Sequence, residues 1–66
     1  MTISIGTRLR ATAAAQLVAL DGKVLVVTSV DDEYAHCTVM ADGQIVDEGR
    51  AVCLLDIGAA YEVIDG

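Results

Sequence analysis

Residues 23–41, KVLVVTSVDDEYAHCTVMA, contain two runs of strand-forming residues joined by an acidic turn, with an Asp-Gly dipeptide on each side at Asp21-Gly22 and Asp42-Gly43. Five of the eight residues from Lys23 to Val30 are Val or Leu, and β-branched side chains suit a pleated, half-buried surface. Asp31-Asp32-Glu33 is polar and turn-like, and Tyr34–Ala41 returns as a second strand. Asp42-Gly43 between β-formers predicts a two-residue type I′ turn, because that turn needs positive φ at both central positions and Asp and Gly tolerate it. Gln44–Glu48 then pairs back on the second strand.

Working outward, Thr2–Ala13 alternates. Ile3 and Ile5 point one way and Leu9 and Ala11 share a parity, while Arg8, Arg10 and Thr12 take the other. This is the pattern of a half-buried strand, with a kink expected at Gly6. Ala13–Leu20, AAAQLVAL, reads in two ways. Its alanines and leucines favour a short helix capped by Thr12 and ended by Asp21-Gly22. Leu17–Leu20 running into Asp-Gly also reads as a hairpin arm or irregular loop. Beyond the second Asp-Gly, Gly49-Arg50 suggests a bulge or break and Ala51–Leu55 continues as strand. Residues 56–60 suit a helical turn with Asp56 at its N-cap, and Tyr61–Ile64 forms a last short strand. The expectation is a mainly β fold, a five-stranded antiparallel meander in one domain over 1–66. The alternative is α+β, one helix at 13–20 on an antiparallel sheet. LVALDGKVLVV and TVMADGQIVDE share a pattern 21 residues apart, read as recurrence of hairpin-type sequence and not as duplication.

The two inner turns assign faces. A two-residue turn at Asp42-Gly43 sets Ala41 against Gln44, Val39 against Val46 and Cys37 against Glu48. A three-residue turn at Asp31–Glu33 sets Val27 against Cys37 and Leu25 against Val39. One side then carries Leu25, Val27, Ala35, Cys37, Val39 and Val46, a core face. The other carries Val24, Val26, Val30, Tyr34, Met40 and Ile45 among Thr28, His36, Thr38 and Asp47. A one-sided antiparallel sheet shows cleaner polar alternation than this, so something is expected to cover part of the second face: residues 13–20, closure of a barrel, a partner protein or a second copy.

Composition narrows the function classes. Sixty-six residues with no Phe or Trp build a core from Val, Leu, Ile and Ala, and a core of this size gives only about 3–5 kcal/mol of net stability. Apolar content beyond what so few residues enclose predicts a partner or a homodimer. Ten acids against Arg8, Arg10, Lys23 and Arg50 give a net charge of −6, which opposes direct binding to a phosphate backbone. Cys37 and Cys53 lie in apolar runs and read as reduced thiols. Neither a signal peptide nor a membrane-length apolar run is present, so a cytoplasmic protein is expected.

The succession of strand, loop, Gly-Lys, strand, turn, strand, Asp-Gly turn, strand, helical turn and strand resembles an SH3-like small barrel. Within it, Asp21-Gly22-Lys23-Val24-Leu25-Val26-Val27-Thr28-Ser29-Val30 looks like the KOW-type stretch of ribosomal and transcription-elongation barrels, and Tyr61-Glu62-Val63-Ile64 is similar to their closing strand. The resemblance implies a barrel fold. KOW-type domains that bind nucleic acid bring several basic residues to this stretch, whereas here it holds only Lys23.

Chemistry-bearing groups are few. The single histidine, His36, sits mid-strand beside Thr38, and its neighbour Cys37 points to the opposite face, so no Cys-His pair forms. Asp31, Asp32 and Glu33 lack the spacing of a calcium loop. No enzyme activity and no cofactor are expected. The acids can instead imitate phosphates and occupy a basic groove on a nucleic-acid-handling protein. The expected function is therefore a protein-binding module, an acidic inhibitor or accessory factor, contacting its partner through Asp31, Asp32, Glu33, Tyr34, His36, Thr38, Met40, Asp47 and Glu48. The alternatives are a degenerate KOW-type barrel touching RNA or ribosome through Arg8, Arg10, Lys23 and Arg50, and a structural subunit of a larger assembly.

Overall fold

The computed structural model describes residues 3–65; Met1, Thr2 and Gly66, which the sequence-based strand and domain bounds include, lie outside the described residues. Five strands form one antiparallel sheet: β1 (Arg8–Ala11), β2 (Val24–Val30), β3 (Tyr34–Ala41), β4 (Gln44–Cys53) and β5 (Tyr61–Asp65). Their spatial order is β4-β3-β2-β1-β5. The chain runs as a meander from β1 to β4, and β5 returns to pair with β1 on its far side. The mainly β, five-stranded antiparallel expectation therefore holds, but the meander stops at β4: a full meander would set β5 beside β4, and β5 pairs with β1 instead. Among the described residues the sheet does not close: β4 and β5 are its two edges, and no ladder joins them.

Residues 13–20 form neither the α-helix nor the hairpin arm. They make two short 3₁₀ turns, Ala13–Ala15 and Val18–Leu20, separated at Gln16 by a left-handed residue with φ 55°. Both flanks of β2 are already occupied by β1 and β3, so a hairpin arm here would have no edge to join. Thr12 does not cap the first turn; its hydroxyl donates instead to the carbonyls of Ala59 and Ala60, both at 3.4 Å. The helical turn expected over 56–60 is shifted: the 3₁₀ turn is Leu54–Asp56 with Cys53, not Asp56, at its N-cap, and the chain then turns through extended Ile57 (φ −75°, ψ 121°) and Gly58 (φ 99°), with the Asp56 carbonyl accepting the N–H groups of Ala59 and Ala60.

Alternation along the strands builds the core. Leu9 on β1, Leu25 and Val27 on β2, Ala35, Cys37 and Val39 on β3, and Val52 on β4 are buried, joined by Leu20 and Tyr61. Leu17 packs against the same cluster, so residues 13–20 cover the core face and not the outer one. At the N-terminal end the expected strand is shorter. β1 starts at Arg8, Gly6 sits in a turn with φ 95°, and Ile5 is exposed while Ile3 packs on the core.

Register follows the expectation next to the Asp42-Gly43 turn and in the first half of β2, and departs from it in two places. Leu25↔Val39 and Val27↔Cys37 pair as expected, but the loop between β2 and β3 is one residue shorter, closed by the Asp31 N–H on the Tyr34 carbonyl. A bulge at Thr28 absorbs the difference. It sets His36 opposite Ser29, not Thr28, and brings Val30 opposite buried Ala35, onto the core side. On β4, Ala41↔Gln44 and Met40↔Ile45 follow the type I′ turn, and then the register slips. Val39 faces Asp47 instead of Val46, and Cys37 faces Arg50 instead of Glu48. The expected break at Gly49-Arg50 is thus a slip inside a continuous strand, and Val46, assigned to the core, is 54% exposed. Both cysteines are free. No helix among the described residues is long and apolar enough to cross a membrane.

Candidate protein-binding surface

The acidic turn between β2 and β3 is organised by one carboxylate. Asp31 Oδ1 accepts the N–H groups of Glu33 and Tyr34, each at 2.8 Å, and Asp31 Oδ2 lies 2.9 Å from His36 Nε2. An Asp side chain bonding backbone two and three residues ahead is the local reason this sequence turns here. The His36 hydrogen bond, followed by the two backbone donors, holds the Asp31 carboxyl down at about 2. Asp32 and Glu33 are left exposed at the tip, so Asp31 shapes the turn and its two neighbours present the charge.

The nine sequence-predicted contact residues fall into three groups. His36, Thr38 and Met40 alternate along β3 opposite the buried Ala35, Cys37 and Val39, with Thr38 and Met40 half-buried. Tyr34, at the start of the same strand and paired with Cys53, lines an open cavity of about 350 Å³ with Asp32, Glu33, Cys53, Leu54 and Leu55. The turn and this cavity are tied together by the Leu54 N–H donating to the Glu33 carbonyl at 2.9 Å. Asp47 and Glu48 lie away from both groups, on the outer edge of the sheet in β4. Asp47 is not on the outer face with His36, because the slipped register pairs it with Val39.

Several groups were not anticipated. Cys53, Leu54 and Leu55 join Tyr34, and Leu55 is 88% exposed. A second cavity, of about 440 Å³, brings Leu17, Arg50, Asp56 and Tyr61 to the other side of Tyr34 and Cys53, where an Arg50 guanidinium N–H donates to the Tyr61 hydroxyl at 3.4 Å. The available signal was the apolar Leu54-Leu55 pair directly before a helical turn, where one leucine of two must face outward.

Charge is distributed unevenly. Arg10 donates to Glu62 at 2.7 Å, and Arg8 lies 3.6 Å from Asp65, so both β1 arginines pair with acids of β5. Lys23 Nζ donates to the Ala19 carbonyl at 2.8 Å. Among the described residues, Asp21, Asp32, Glu33, Asp42, Asp47, Glu48 and Asp56 have no ion-pair partner. No three of the described His, Cys, Asp and Glu residues are grouped to hold a metal ion. Burial raises the Cys37 thiol above its ordinary value, and the His36 ring is bonded to Asp31 with no Ser, Thr or Cys hydrogen-bonded to it. No protein-family model matches the chain, and neither does any curated protein or solved structure.

Proposed function

We propose that the chain is a non-enzymatic protein-binding module whose acidic surface occupies a basic site on a partner, in the manner of an inhibitor or accessory factor of a nucleic-acid-handling complex. The observation that carries this reading is the asymmetry of the ion pairs. Arg8 and Arg10 are neutralised by Asp65 and Glu62, whereas, among the described residues, Asp32 and Glu33 at the β2–β3 turn and Asp42, Asp47 and Glu48 of the β3–β4 hairpin have no ion-pair partner and are exposed. Unpaired charge of one sign steers an oppositely charged partner and rejects like-charged ones. Beside the turn, Tyr34 and Leu55 add exposed apolar area that a protein contact needs and a free phosphate backbone does not.

The strand order, with β5 returning beside β1 after a 3₁₀ turn, supports reading the meander as an SH3-like small barrel left open between β4 and β5. The same pairing of Arg8 and Arg10 speaks against the RNA-binding alternative. A cytoplasmic setting suits such a module.

Competition tests the proposal. The chain is titrated into complexes of purified basic nucleic-acid-binding proteins with a labelled duplex, and displacement that weakens as salt rises is expected. Asp32→Lys with Glu33→Lys should reduce displacement about tenfold while leaving the circular dichroism spectrum unchanged, since Asp31 and its turn bonds are kept. Retention of labelled RNA by the chain itself at physiological salt, lost in Arg8→Ala/Arg10→Ala, would overturn the reading in favour of the RNA-binding barrel.

A further inference from the structure

We propose that the first half of β4, Gln44–Gly49, takes on an extended, Lys- or Arg-bearing segment of a protein partner as a sixth strand; this rests on the acidic-module reading and names the form of the partner. β4 is an edge of the sheet, and every residue from Gln44 to Gly49 is exposed. A free edge presents unpaired backbone N–H and C=O groups, and addition of an extended chain satisfies them. Between the Ala41↔Gln44 and Cys37↔Arg50 pairs β3 advances four residues and β4 six, so part of the β4 backbone is out of step with β3; one of its groups, the Gly49 N–H, donates to Asp47 Oδ1 at 3.0 Å.

The side chains give the edge an apolar grip. Val24, Met40 and Ile45 are paired across β2, β3 and β4, a row that grows from half-buried at Val24 and Met40 to 55% exposed at Ile45. An apolar residue on an added strand would extend that row past Ile45. Val46, displaced from the ladder by the register slip, is exposed beside it.

Charge selects the occupant. Protein edges are commonly guarded by Lys or Pro; residues 44–49 contain neither, and their charges are Asp47 and Glu48, with Asp42 at the turn. Arg50, the cation of β4, is turned to the Tyr61 hydroxyl. A second copy pairing edge to edge would set Asp47 and Glu48 near their own counterparts, and like charges across a ladder are destabilising. A strand bearing Lys or Arg meets the opposite situation.

The test uses the isotope-labelled full chain and a ten-residue synthetic peptide alternating Lys with Thr and Val, together with two versions N-methylated at odd or at even residues. Methylation removes backbone donors on one side of the added strand and leaves the peptide's charge intact. The expected result is slowed amide exchange in residues 44–49, at least tenfold weaker binding for one methylated version only, and at least tenfold weaker binding to Asp47→Lys/Glu48→Lys with an unchanged fold. Equal binding of all three peptides, or perturbation confined to residues 31–34, overturns strand addition and leaves the acidic-surface reading standing. Failure of the peptide and of polylysine to bind even at low salt overturns both. A dimer in sedimentation velocity, with residues 44–49 protected before any peptide is added, also overturns the proposal by showing that a second copy occupies the edge.

Discussion

Asp-Gly occurs twice, at 21–22 and 42–43, in similar surroundings, and it makes two different turns. At the second site both residues have positive φ, 54° at Asp42 and 77° at Gly43, the type I′ geometry whose twist matches the strands it joins. At the first, Asp21 is extended (φ −61°, ψ 129°) and only Gly22 is positive, at 72°, with the Lys23 N–H donating to the Leu20 carbonyl at 3.1 Å; this is a type II turn. The residue before each turn explains the difference. Leu20 is buried and must enter the core from a 3₁₀ turn, whereas Ala41 is half-buried and continues a ladder. The dipeptide permits either geometry, and the side chain ahead of it, with the strand edges still free, selects one.

Proline is the sharpest way to separate the two sites. Its ring fixes φ near −65°, so Asp42→Pro should cost about 3 kcal/mol or more and leave a domain of this size unfolded at 25 °C. Asp21 already has a suitable φ, and Asp21→Pro loses the N–H bond to the Val18 carbonyl and crowds Leu20, costing about 1–2 kcal/mol. Urea unfolding followed by circular dichroism reads both; equal losses would refute the assignment of two turn types.

Leu20→Ala comes next. If burial of Leu20 is what bends the first site away from a hairpin, the truncation should cost about 2–4 kcal/mol. Alanine tests the backbone more gently. Asp42→Ala places a Cβ residue at positive φ without a side chain that favours it, for about 1–2 kcal/mol, while Asp21→Ala should stay within about 0.5 kcal/mol. Asp42→Gly should recover most of the first loss. A loss at Asp21→Ala matching that at Asp42→Ala would mean that the carboxylates, not the backbone angles, hold these turns.

The same contrast explains what could be read from the sequence. Where short-range rules act alone, they worked: the type I′ turn and the buried face of β3 follow from alternation, while the Leu25–Val39 and Val27–Cys37 pairs form as expected because the bulge at Thr28 offsets a loop one residue shorter than the expected one. They failed where registers slip. The bulge at Thr28 and the slip opposite Val39 and Cys37 carry no glycine or proline mark at Thr28 and Val46 themselves, so Val30 changed face, while staying 39% exposed at the strand end, and Val46 left the core without a local signal. Residues 13–20 favour helix by propensity, yet the short span between β1 and β2 and the burial of Leu17 and Leu20 leave room only for 3₁₀ turns. The acidic turn of the candidate surface was legible because charge and turn chemistry coincide there. Its apolar side was not: Leu54 and Leu55 reach Tyr34 through the slipped register that pairs Tyr34 with Cys53 and through the backbone bond between Leu54 and Glu33.

The third tight turn, at Asp31–Tyr34, extends the comparison from backbone angle to charge. Here a carboxylate binds two backbone N–H groups and His36, and its pKa falls to about 2 from about 3.9 in an unfolded chain. A depressed carboxylate stabilises the fold above its unfolded pKa, and that contribution is lost as pH falls from about 4 through about 2. The group is exposed, so solvent and salt screen the effect and it should be the smallest of those described here. Asp31→Asn keeps an oxygen that accepts the Glu33 and Tyr34 N–H groups and removes the titration. Its urea midpoint should vary less than the wild type's between about pH 4 and 2, with the two curves converging at the acid end and the difference shrinking in high salt. His36→Ala removes the leading cause of the shift, and the Asp31 carboxyl, followed by its NMR side-chain resonance, should titrate closer to the ordinary value. An unmoved titration would assign the shift to the two backbone donors and make the turn, not the Asp31–His36 pair, the origin of the acid sensitivity.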